Sequence, residues 1–295
     1  MMDSSGSSSL IGLATVQMQP GIDRESNLQL ALDLIEDAAG LGASVVVLPE
    51  LFSIPFVGPD IDQGYFDWAE PLNGPSNEMV QDCSERKSIT VISSIFEEST
   101  ISGVYHNTVC IFSSGELRSV YRKSHLPFSN GFPEKYYFRP GEEPPAVVDI
   151  GPARIGVMVC YERHFPELSR LAALGGSSIL CLPVACASAA TKSIFELELR
   201  AHAVFNGMYV VCANRVGPEG DKHYYGLSGL YGPDGEVLGL ASEGGPGVVF
   251  SEVDLDLVRE CRKRLPFLRD RRPDIYKGLW KSDKSVERGK WNLTL

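Results

Sequence analysis

The feature that most constrains the fold is the alternation of short apolar runs with amphipathic helical patterns. Ten runs have the length and composition of β-strands: Ile11–Met18, Ser44–Leu48, Thr90–Phe96, Thr108–Phe112, Leu117–Arg122, Arg154–Val159, Ser178–Pro183, Met208–Asn214, Gly226–Leu230 and Val248–Val253. Four helical patterns lie between them, at Ser26–Leu41, Ser76–Ser88, Pro166–Gly175 and Ser193–Asn206. This alternation predicts buried central strands that are covered by helices on their outer faces.

Turn sequences add detail to this layered fold. Ser113-Ser114-Gly115-Glu116 and Pro233-Asp234-Gly235 are typical of hairpins, so part of the sheet should be antiparallel. The apolar stripe of the first helical pattern follows Ser26 and Asn27, which predicts these residues as its N-terminal cap. The chain shows no repeat and no linker. We therefore expect one domain over residues 1–295, with a loose tail at 1–9 and a C-terminal arm at 259–295.

Charge is distributed unevenly along the chain. In total, 27 Lys+Arg stand against 38 Asp+Glu, a net charge of −11, which disfavours nucleic acid or an anionic membrane as the main partner. Residues 259–295 alone carry 12 basic and 5 acidic residues, so a basic arm follows an acidic body. Tyr276, Leu279, Trp280 and Trp291 interleave with these charges, which favours self-association of the arm over a merely solvated tail.

Cysteine usage and the N-terminus bear on the compartment. The seven cysteines are an odd number and several lie in apolar runs, which is typical of buried thiols in a reducing compartment. Cys181 and Cys186 have no histidine close by, so a zinc site is disfavoured. No Lys or Arg precedes Arg24, as a signal peptide would require. Glycines and Pro183 interrupt the uncharged run Leu171–Thr191, so we expect a cytoplasmic protein without a membrane span.

The sharpest motif is the segment from Ile155 to Glu167, in which an apolar strand leads into Cys160 and a short polar link. A helix can begin at Pro166, since proline is allowed in the first helical turn. A thiol at such a strand-to-helix corner is exposed at the end of the sheet and faces backbone N–H groups. This placement suits a nucleophile beside an oxyanion site. The alternative is one more core cysteine after a buried strand.

Two charged residues at other strand ends favour the nucleophile. Glu50 ends the apolar run that begins at Val45, where a buried carboxylate is a candidate general base. Lys123 follows the strand Leu117–Arg122 and is a fixed cation suited to an oxyanion. Each alone would usually be a surface charge. Together with Cys160 they predict one active site at three strand ends of one layered fold.

These motifs, in this order, resemble those of the nitrilase superfamily of carbon–nitrogen hydrolases. The Glu-Lys-Cys triad of the family matches Glu50 in LPELF, Lys123 in YRKSHLP and Cys160 in VCYERHFPE. Its second glutamate matches Glu134 in PEKYYF, and the segment Asn214-Arg215-Val216-Gly217 is also similar to the family.

The resemblance implies an α+β fold, a four-layer α-β-β-α sandwich, with no metal or organic cofactor. It also implies homodimers or larger homo-oligomers that stack through helices and the C-terminal arm. Cys160 is then the nucleophile, Glu50 carries protons, and Lys123 stabilises the oxyanion while Glu134 holds Lys123 and orients the substrate amide. A Cys160–His164 dyad is the competing interpretation, but it leaves Glu50 and Lys123 without a role.

Within the superfamily, CYERH at 160–164 with NRVG at 214–217 is most similar to the N-carbamoyl amino acid hydrolases, the β-ureidopropionase and D-carbamoylase group. In D-carbamoylases the arginine three residues after the cysteine grips the substrate carboxylate, and Arg163 occupies that position. Tyr161 is the second expected substrate contact. The alternative is that Arg163 pairs with Glu162 or Glu167. The expected reaction converts an N-carbamoyl amino acid to the amino acid, ammonia and carbon dioxide.

Other functions remain open at this point. Phe165-Pro166-Glu167 and the segment 134–138 also resemble N-carbamoylputrescine amidases, and an ω-amidase is a further relative. An acyltransferase would need an acceptor other than water, and a non-catalytic binding module would not need the intact triad. Side-chain selectivity should depend on the loops Phe52–Trp68 and Ala187–Lys192. We expect His106, His125, His202 and His223 to be structural, and the alternative for His125 is a partner close to Lys123.

Overall fold

Runs that are apolar on both faces become the central strands of two sheets. The computed structural model describes residues 9–58, 60–129 and 131–280. Its strands are β1 (Leu10–Gln17), β2 (Val45–Val47), β3 (Thr90–Glu98), β4 (Tyr105–Ser113), β5 (Glu116–Arg122), β6 (Val147–Asp149), β7 (Arg154–Val157), β8 (Ile179–Pro183), β9 (Tyr209–Ala213), β10 (Val216–Glu219), β11 (Lys222–Tyr225), β12 (Gly229–Tyr231), β13 (Val237–Leu240) and β14 (Gly247–Asp254). Its α-helices are α1 (Arg24–Gly40), α2 (Pro75–Lys87), α3 (Glu134–Tyr137), α4 (Pro166–Leu174), α5 (Ala189–Asn206) and α6 (Asp256–Arg264). Short 3-10 helices lie at Gln63–Trp68, Cys160–His164 and Tyr276–Trp280.

The two sheets share one plan. The first has the order β14-β1-β2-β3-β4-β5 and the second the order β13-β12-β9-β8-β7-β6. In each sheet three strands in the middle are parallel and the remaining pairs are antiparallel. The predicted hairpins are confirmed, since β4 pairs with β5 and β12 with β13 across the two turn sequences.

The sheets pack face to face and helices cover their outer faces. Alternate residues of β1 show this arrangement: Ile11 and Leu13 join the core shared by both sheets, whereas Ala14 and Val16 pack with α1 and α2. Helices α4 and α5 cover the second sheet. The result is the predicted α-β-β-α sandwich. Central strands that are buried on both faces explain the continuous apolar runs in the sequence.

The predicted strands and helices are present, with boundaries shifted by a few residues. The predicted cap of α1 is wrong. Helix α1 begins at Arg24, and the Asp23 carboxylate caps it by accepting a hydrogen bond from Ser26 N at 2.9 Å. Ser26 and Asn27 therefore lie inside the first turn. The strands β6, β10, β11 and β13 and the helices α3 and α6 were not predicted, because they are short or strongly charged.

Two further predictions concern burial and membrane contact. All seven cysteines are free and buried, as the apolar neighbours of several predicted, and the expectation that Cys160 is exposed at the end of the sheet is wrong. Among the described residues, no helix combines the length and apolarity that a membrane span needs. The run Leu171–Thr191 is divided among the end of α4, β8 and the start of α5. Most of the expected N-terminal tail (residues 1–8) and the end of the arm (281–295, with Trp291) lie outside the described residues.

Strand β1 lies close to the turn after α1 at Gly12. A Cβ on Gly12 would lie 2.1 Å from the carbonyl oxygen of Gly42, so the backbone would have to move. We expect Gly12→Ala to lower the free energy of unfolding by about 1–3 kcal/mol, measured by urea denaturation. Gly40→Ala is the control, because a Cβ there meets nothing within 4 Å. Equal stability of the two variants would show that the close approach yields easily.

Candidate active site

The ends of strands from both sheets bring four chemically active side chains into the interior. Glu50 follows β2, Lys123 directly follows β5, and Cys160 begins the 3-10 helix after β7. Glu134 is the first residue of α3. The relative exposures of these residues are 0% for both glutamates, 1% for Lys123 and 7% for Cys160. Charged groups are rarely buried this completely unless they are paired.

Lys123 is paired with both glutamates. Its Nζ donates to Glu50 Oε1 at 2.7 Å and to the two oxygens of Glu134 at 3.0 and 2.8 Å. Burial alone disfavours the charged ammonium, but the carboxylates of Glu134 and Glu50 outweigh it and raise the pKa of Lys123 above its ordinary value. Lys123 is therefore a permanent cation in the interior.

The two oxygens of Glu50 differ in their partners. Oε1 accepts from Lys123 Nζ and also from Asn107 Nδ2, each at 2.7 Å. Asn107 is oriented in turn by Ser94, whose hydroxyl donates to Asn107 Oδ1 at 3.2 Å. Oε2 is buried and has no hydrogen-bond partner among the described residues. A buried carboxylate oxygen without a partner is unfavourable, so Oε2 is well suited to accept a proton.

Burial also controls the protonation of Glu134 and Cys160. It raises the pKa of Glu134 to about 7, with Lys123 opposing the rise and Glu50 adding to it. It raises the pKa of the Cys160 thiol well above the ordinary range, and the Glu50 carboxylate contributes further. Cys160 is thus a neutral thiol in the resting site. An attack by its sulfur requires a base that removes the proton during the same step.

The backbone at Cys160 is strained. Its φ of 45° lies in the left-handed region, which costs a non-glycine residue about 1–3 kcal/mol. This sharp corner links β7 to the 3-10 helix Cys160–His164, whose first hydrogen bond runs from Glu162 N to Val159 O at 2.9 Å. The amide of Tyr161 precedes that bond and belongs to the first turn, whose N–H groups have no partner within the helix.

A cavity of about 120 Å³ opens onto Cys160 and Glu134. Tyr161, Arg163 and His164 line it as well, together with Ser188 and Thr191 from the predicted selectivity loop. This volume is large enough for an amide or ureido group.

Residues 12–263 match the family described as "Carbon-nitrogen hydrolase". The chain belongs to the carbon–nitrogen hydrolase family. It is 30% identical to N-carbamoylputrescine amidase from Arabidopsis thaliana, over 97% of this chain and 100% of that protein. It is also 30% identical to citrullinase from Francisella tularensis, over 90% of this chain and 96% of that protein. A crystal structure of a carbon-nitrogen hydrolase from Helicobacter pylori G27 superposes with a TM-score of 0.86 at 30% identity, covering 92% of this chain and 99% of that one. The predicted superfamily, sandwich fold and amidohydrolase class are thereby confirmed.

In this carbon–nitrogen hydrolase, Arg163 has a partner that the sequence did not suggest. Its side chain is buried, and Nε donates to Glu198 Oε2 at 2.9 Å. The predicted alternative partners, Glu162 and Glu167, are wrong, because the ion pair is made with a residue of α5. Nη1 donates to the carbonyl oxygen of Cys160 at 3.1 Å, and Nη2 lies 3.4 Å from the sulfur of Cys186.

The histidines lie outside the lysine–glutamate cluster. His164 Nδ1 contacts Glu198 Oε1 at 2.6 Å, so this nitrogen is directed to α5 and lends no support to a Cys160–His164 dyad. For His125 the sequence left a structural role or a partner close to Lys123 open. Its Nδ1 contacts the hydroxyl of the adjacent Ser124 at 2.8 Å, and its ring lies 4.0 Å from that of Phe165. Among the described residues, no three His, Cys, Asp or Glu side chains are grouped as around a metal ion.

Arg215 organises the segment after Glu50, a role that sequence reasoning missed. The side chain is fully buried and donates to the backbone oxygens of Glu50 at 3.1 Å, Leu51 at 2.6 Å and Ile54 at 2.9 Å. It also donates to Glu219 Oε2 at 2.7 Å. The sequence signals were its position directly after a strand, where an arginine is more often on the surface, and its place in the family-like segment 214–217.

Arg215→Lys tests this role while keeping the charge. A lysine cannot reproduce the planar fork, so buried carbonyl oxygens lose their donors. We expect the free energy of unfolding to fall by about 1–3 kcal/mol, together with slower turnover. The control is Arg86→Lys, whose exposed side chain pairs with Glu36 and Asp82. A stable and fully active Arg215→Lys variant would contradict the role.

Proposed function

We propose that this hydrolase cleaves an N-carbamoyl amino acid, with Cys160 as the nucleophile, and releases ammonia, carbon dioxide and the amino acid. The observation that carries the catalytic part is the Lys123 ammonium bound by Glu50 and Glu134 in a site that opens at Cys160. The substrate part depends on Arg163.

In the first half-reaction, the Cys160 sulfur bonds to the carbonyl carbon while the thiol proton passes to Glu50. The free Oε2 of Glu50 supports this assignment. The tetrahedral oxyanion is stabilised by the Lys123 ammonium and the Tyr161 amide. The C–N bond then breaks, and Glu50 returns the proton to the departing ammonia. An S-carbamoyl enzyme remains, while Glu134 keeps Lys123 in place and orients the substrate amide.

In the second half-reaction, water attacks the carbonyl carbon of this thiocarbamate. Glu50 takes a proton from the water, the C–S bond breaks, and the sulfur recovers a proton as the Cys160 thiol. The N-carboxy product loses carbon dioxide to give the free amino acid. One carboxylate serves as base and acid in both halves, and the proposed steps use only side chains of this chain and water.

The surroundings of the cavity support a carboxylated substrate. Arg163 lines the cavity, and its Nη2 lies 3.4 Å from the sulfur of Cys186, a weak acceptor that a carboxylate oxygen could replace. Tyr161 lines the same cavity as a further substrate contact. An outer cavity of about 300 Å³ shares lining residues with it and exposes Lys222 next to Asp221. A substrate longer than the inner cavity would extend towards this second cation.

N-carbamoylputrescine is the alternative substrate, favoured by similarity to the Arabidopsis enzyme. Its ammonium group would meet Arg163, while Glu198 is already bound by Arg163 and His164. Citrulline, which the name of the Francisella relative indicates, carries both a ureido group and a carboxylate. A plain ω-amide is a further alternative.

Ammonia release tests the reaction and the substrate together. We expect Cys160-dependent turnover of N-carbamoyl-β-alanine or of N-carbamoyl-α-amino acids in preference to N-carbamoylputrescine or an ω-amide. Loss of Arg163 should weaken a charged hydrogen bond to the carboxylate. The kcat/KM of Arg163→Gln should therefore fall about 10–100-fold more on N-carbamoyl-β-alanine than on the uncharged propylurea.

Comparing the two substrates separates a loss of carboxylate recognition from damage to the fold, since a disturbed fold lowers kcat/KM on both substrates alike. Arg86→Gln, on the exposed face of α2, is the matched control. An equal loss of kcat/KM on both substrates would show that Arg163 does not bind the substrate carboxylate. Preference for N-carbamoylputrescine would overturn the substrate but keep the catalytic part, whereas full activity of Cys160→Ala would overturn the nucleophile.

We further propose that the enzyme is cytoplasmic and forms a homodimer or a larger homo-oligomer. Leu171 and Leu174 of α4 line an apolar cavity of about 370 Å³ with Phe267 and Leu279 of the C-terminal arm. These four residues are between 41% and 64% exposed, which suits contact with a second copy. We expect light scattering to give at least twice the monomer mass, and Leu171→Glu to lower it. A monomeric wild-type protein would contradict this proposal.

A further inference from the structure

Lys123 and Cys160 belong to different sheets. Lys123 follows the edge strand β5 of the first sheet, and Cys160 follows β7 of the second, so no shared ladder of backbone hydrogen bonds joins the two strands. The inner faces of the sheets pack through apolar side chains. Apolar contact is not directional. The position of the ammonium relative to the thiol therefore needs a polar link that joins the two strand ends.

The side chain of Glu162 supplies such a link. It is 0% exposed and lies two residues after the nucleophile. Its Oε1 accepts from Tyr121 Oη at 2.8 Å, from Ser124 N and Oγ at 2.8 and 2.7 Å, and from His125 N at 3.3 Å. Its Oε2 accepts from Val159 N at 2.8 Å. The donors to Oε1 belong to residues on either side of Lys123 in the sequence. The donor to Oε2 belongs to the residue directly before Cys160.

We propose that Glu162 is a positioning residue that fixes the Lys123 ammonium relative to the Cys160 thiol. The proposal rests on the proposed function of Cys160 as the nucleophile. Glu162 is not among the residues that line the catalytic cavity, so it acts through its neighbours and not on the substrate.

The charge of Glu162 suits this role. Burial would raise its pKa, but the hydrogen bonds from His125, Ser124, Tyr121 and Val159 outweigh burial and keep the pKa below its ordinary value. The carboxylate thus stays ionised and accepts from every donor around it. An amide in its place would present an NH₂ group to some of these donors and would lose their hydrogen bonds.

The substitution Glu162→Gln has two effects on the pKa of the Cys160 thiol. They have opposite signs, so the rate of alkylation shows which of them dominates. Loss of a nearby negative charge alone would lower the pKa of Cys160 and accelerate its alkylation. Loss of positioning would move the ammonium away, raise the thiol pKa and slow alkylation. The other groups that act on the thiol, Glu50, Lys123, Cys186 and Arg163, are unchanged by the substitution.

The experiment measures the rate of Cys160 alkylation by iodoacetamide against pH, with mass spectrometry to separate Cys160 from the other thiols. We expect alkylation of Glu162→Gln at neutral pH to be at least about tenfold slower than in the wild type. In ammonia release, kcat should fall about 10–100-fold with little change in KM. Glu116→Gln is the matched control, an exposed glutamate at the start of the same β5, and should behave as the wild type.

Faster or unchanged alkylation in folded Glu162→Gln would overturn the proposal. Should this variant fail to fold, Tyr121→Phe and Ser124→Ala each remove one side-chain donor on the Lys123 side. Both should slow alkylation in the same direction by a smaller factor, and wild-type rates in both would also overturn the proposal. The alkylation assay needs no substrate. Absence of ammonia release by the wild type would therefore contradict the proposed function and leave the positioning test intact.

Discussion

The rest of the structure depends on a buried ion cluster, the Lys123 ammonium between the carboxylates of Glu50 and Glu134. Three formal charges without solvent are stable only if each meets an opposite charge at close range, and removal of Lys123 would leave both carboxylates without a counter-charge. Glu50 follows β2, Lys123 follows β5 and Glu134 begins α3, so the three residues are distant in sequence. The fold brings them within hydrogen-bonding distance of one another.

A second set of polar residues fixes the cluster. Asn107 holds one oxygen of Glu50, Arg215 holds the backbone after Glu50, and Glu162 joins the segment around Lys123 to the corner before Cys160. Two unfavourable features remain inside this frame: the Oε2 of Glu50, for which the described residues offer no partner, and the left-handed backbone of Cys160. Both lie where the proposed chemistry needs a proton acceptor and an exposed sulfur, which is where strain is expected to persist.

Sequence patterns predicted the elements with a strong local signal and missed pairings over long distances. Apolar runs identified the central strands, because a strand that is buried on both faces consists almost entirely of apolar residues. Glu50, Lys123 and Cys160 could be found at strand ends. The Glu198 partner of Arg163 could not, since it lies 35 residues away on another helix. The contacts of Arg215 and Glu162 could not be predicted either, because their burial depends on how two sheets and their loops meet.

The hydrogen bonds of the cluster also support the different roles proposed for its two glutamates. Both oxygens of Glu134 accept from Lys123, so a proton on Glu134 would have to displace part of that pairing. Glu50 accepts from Lys123 through Oε1, and its Oε2 has no partner in the part of the chain that the structure describes. A resting neutral thiol requires an acceptor that gains its proton while the ammonium stays in place. Glu50 meets this requirement without breaking a contact to Lys123, whereas Glu134 is better suited to hold the cation throughout the cycle.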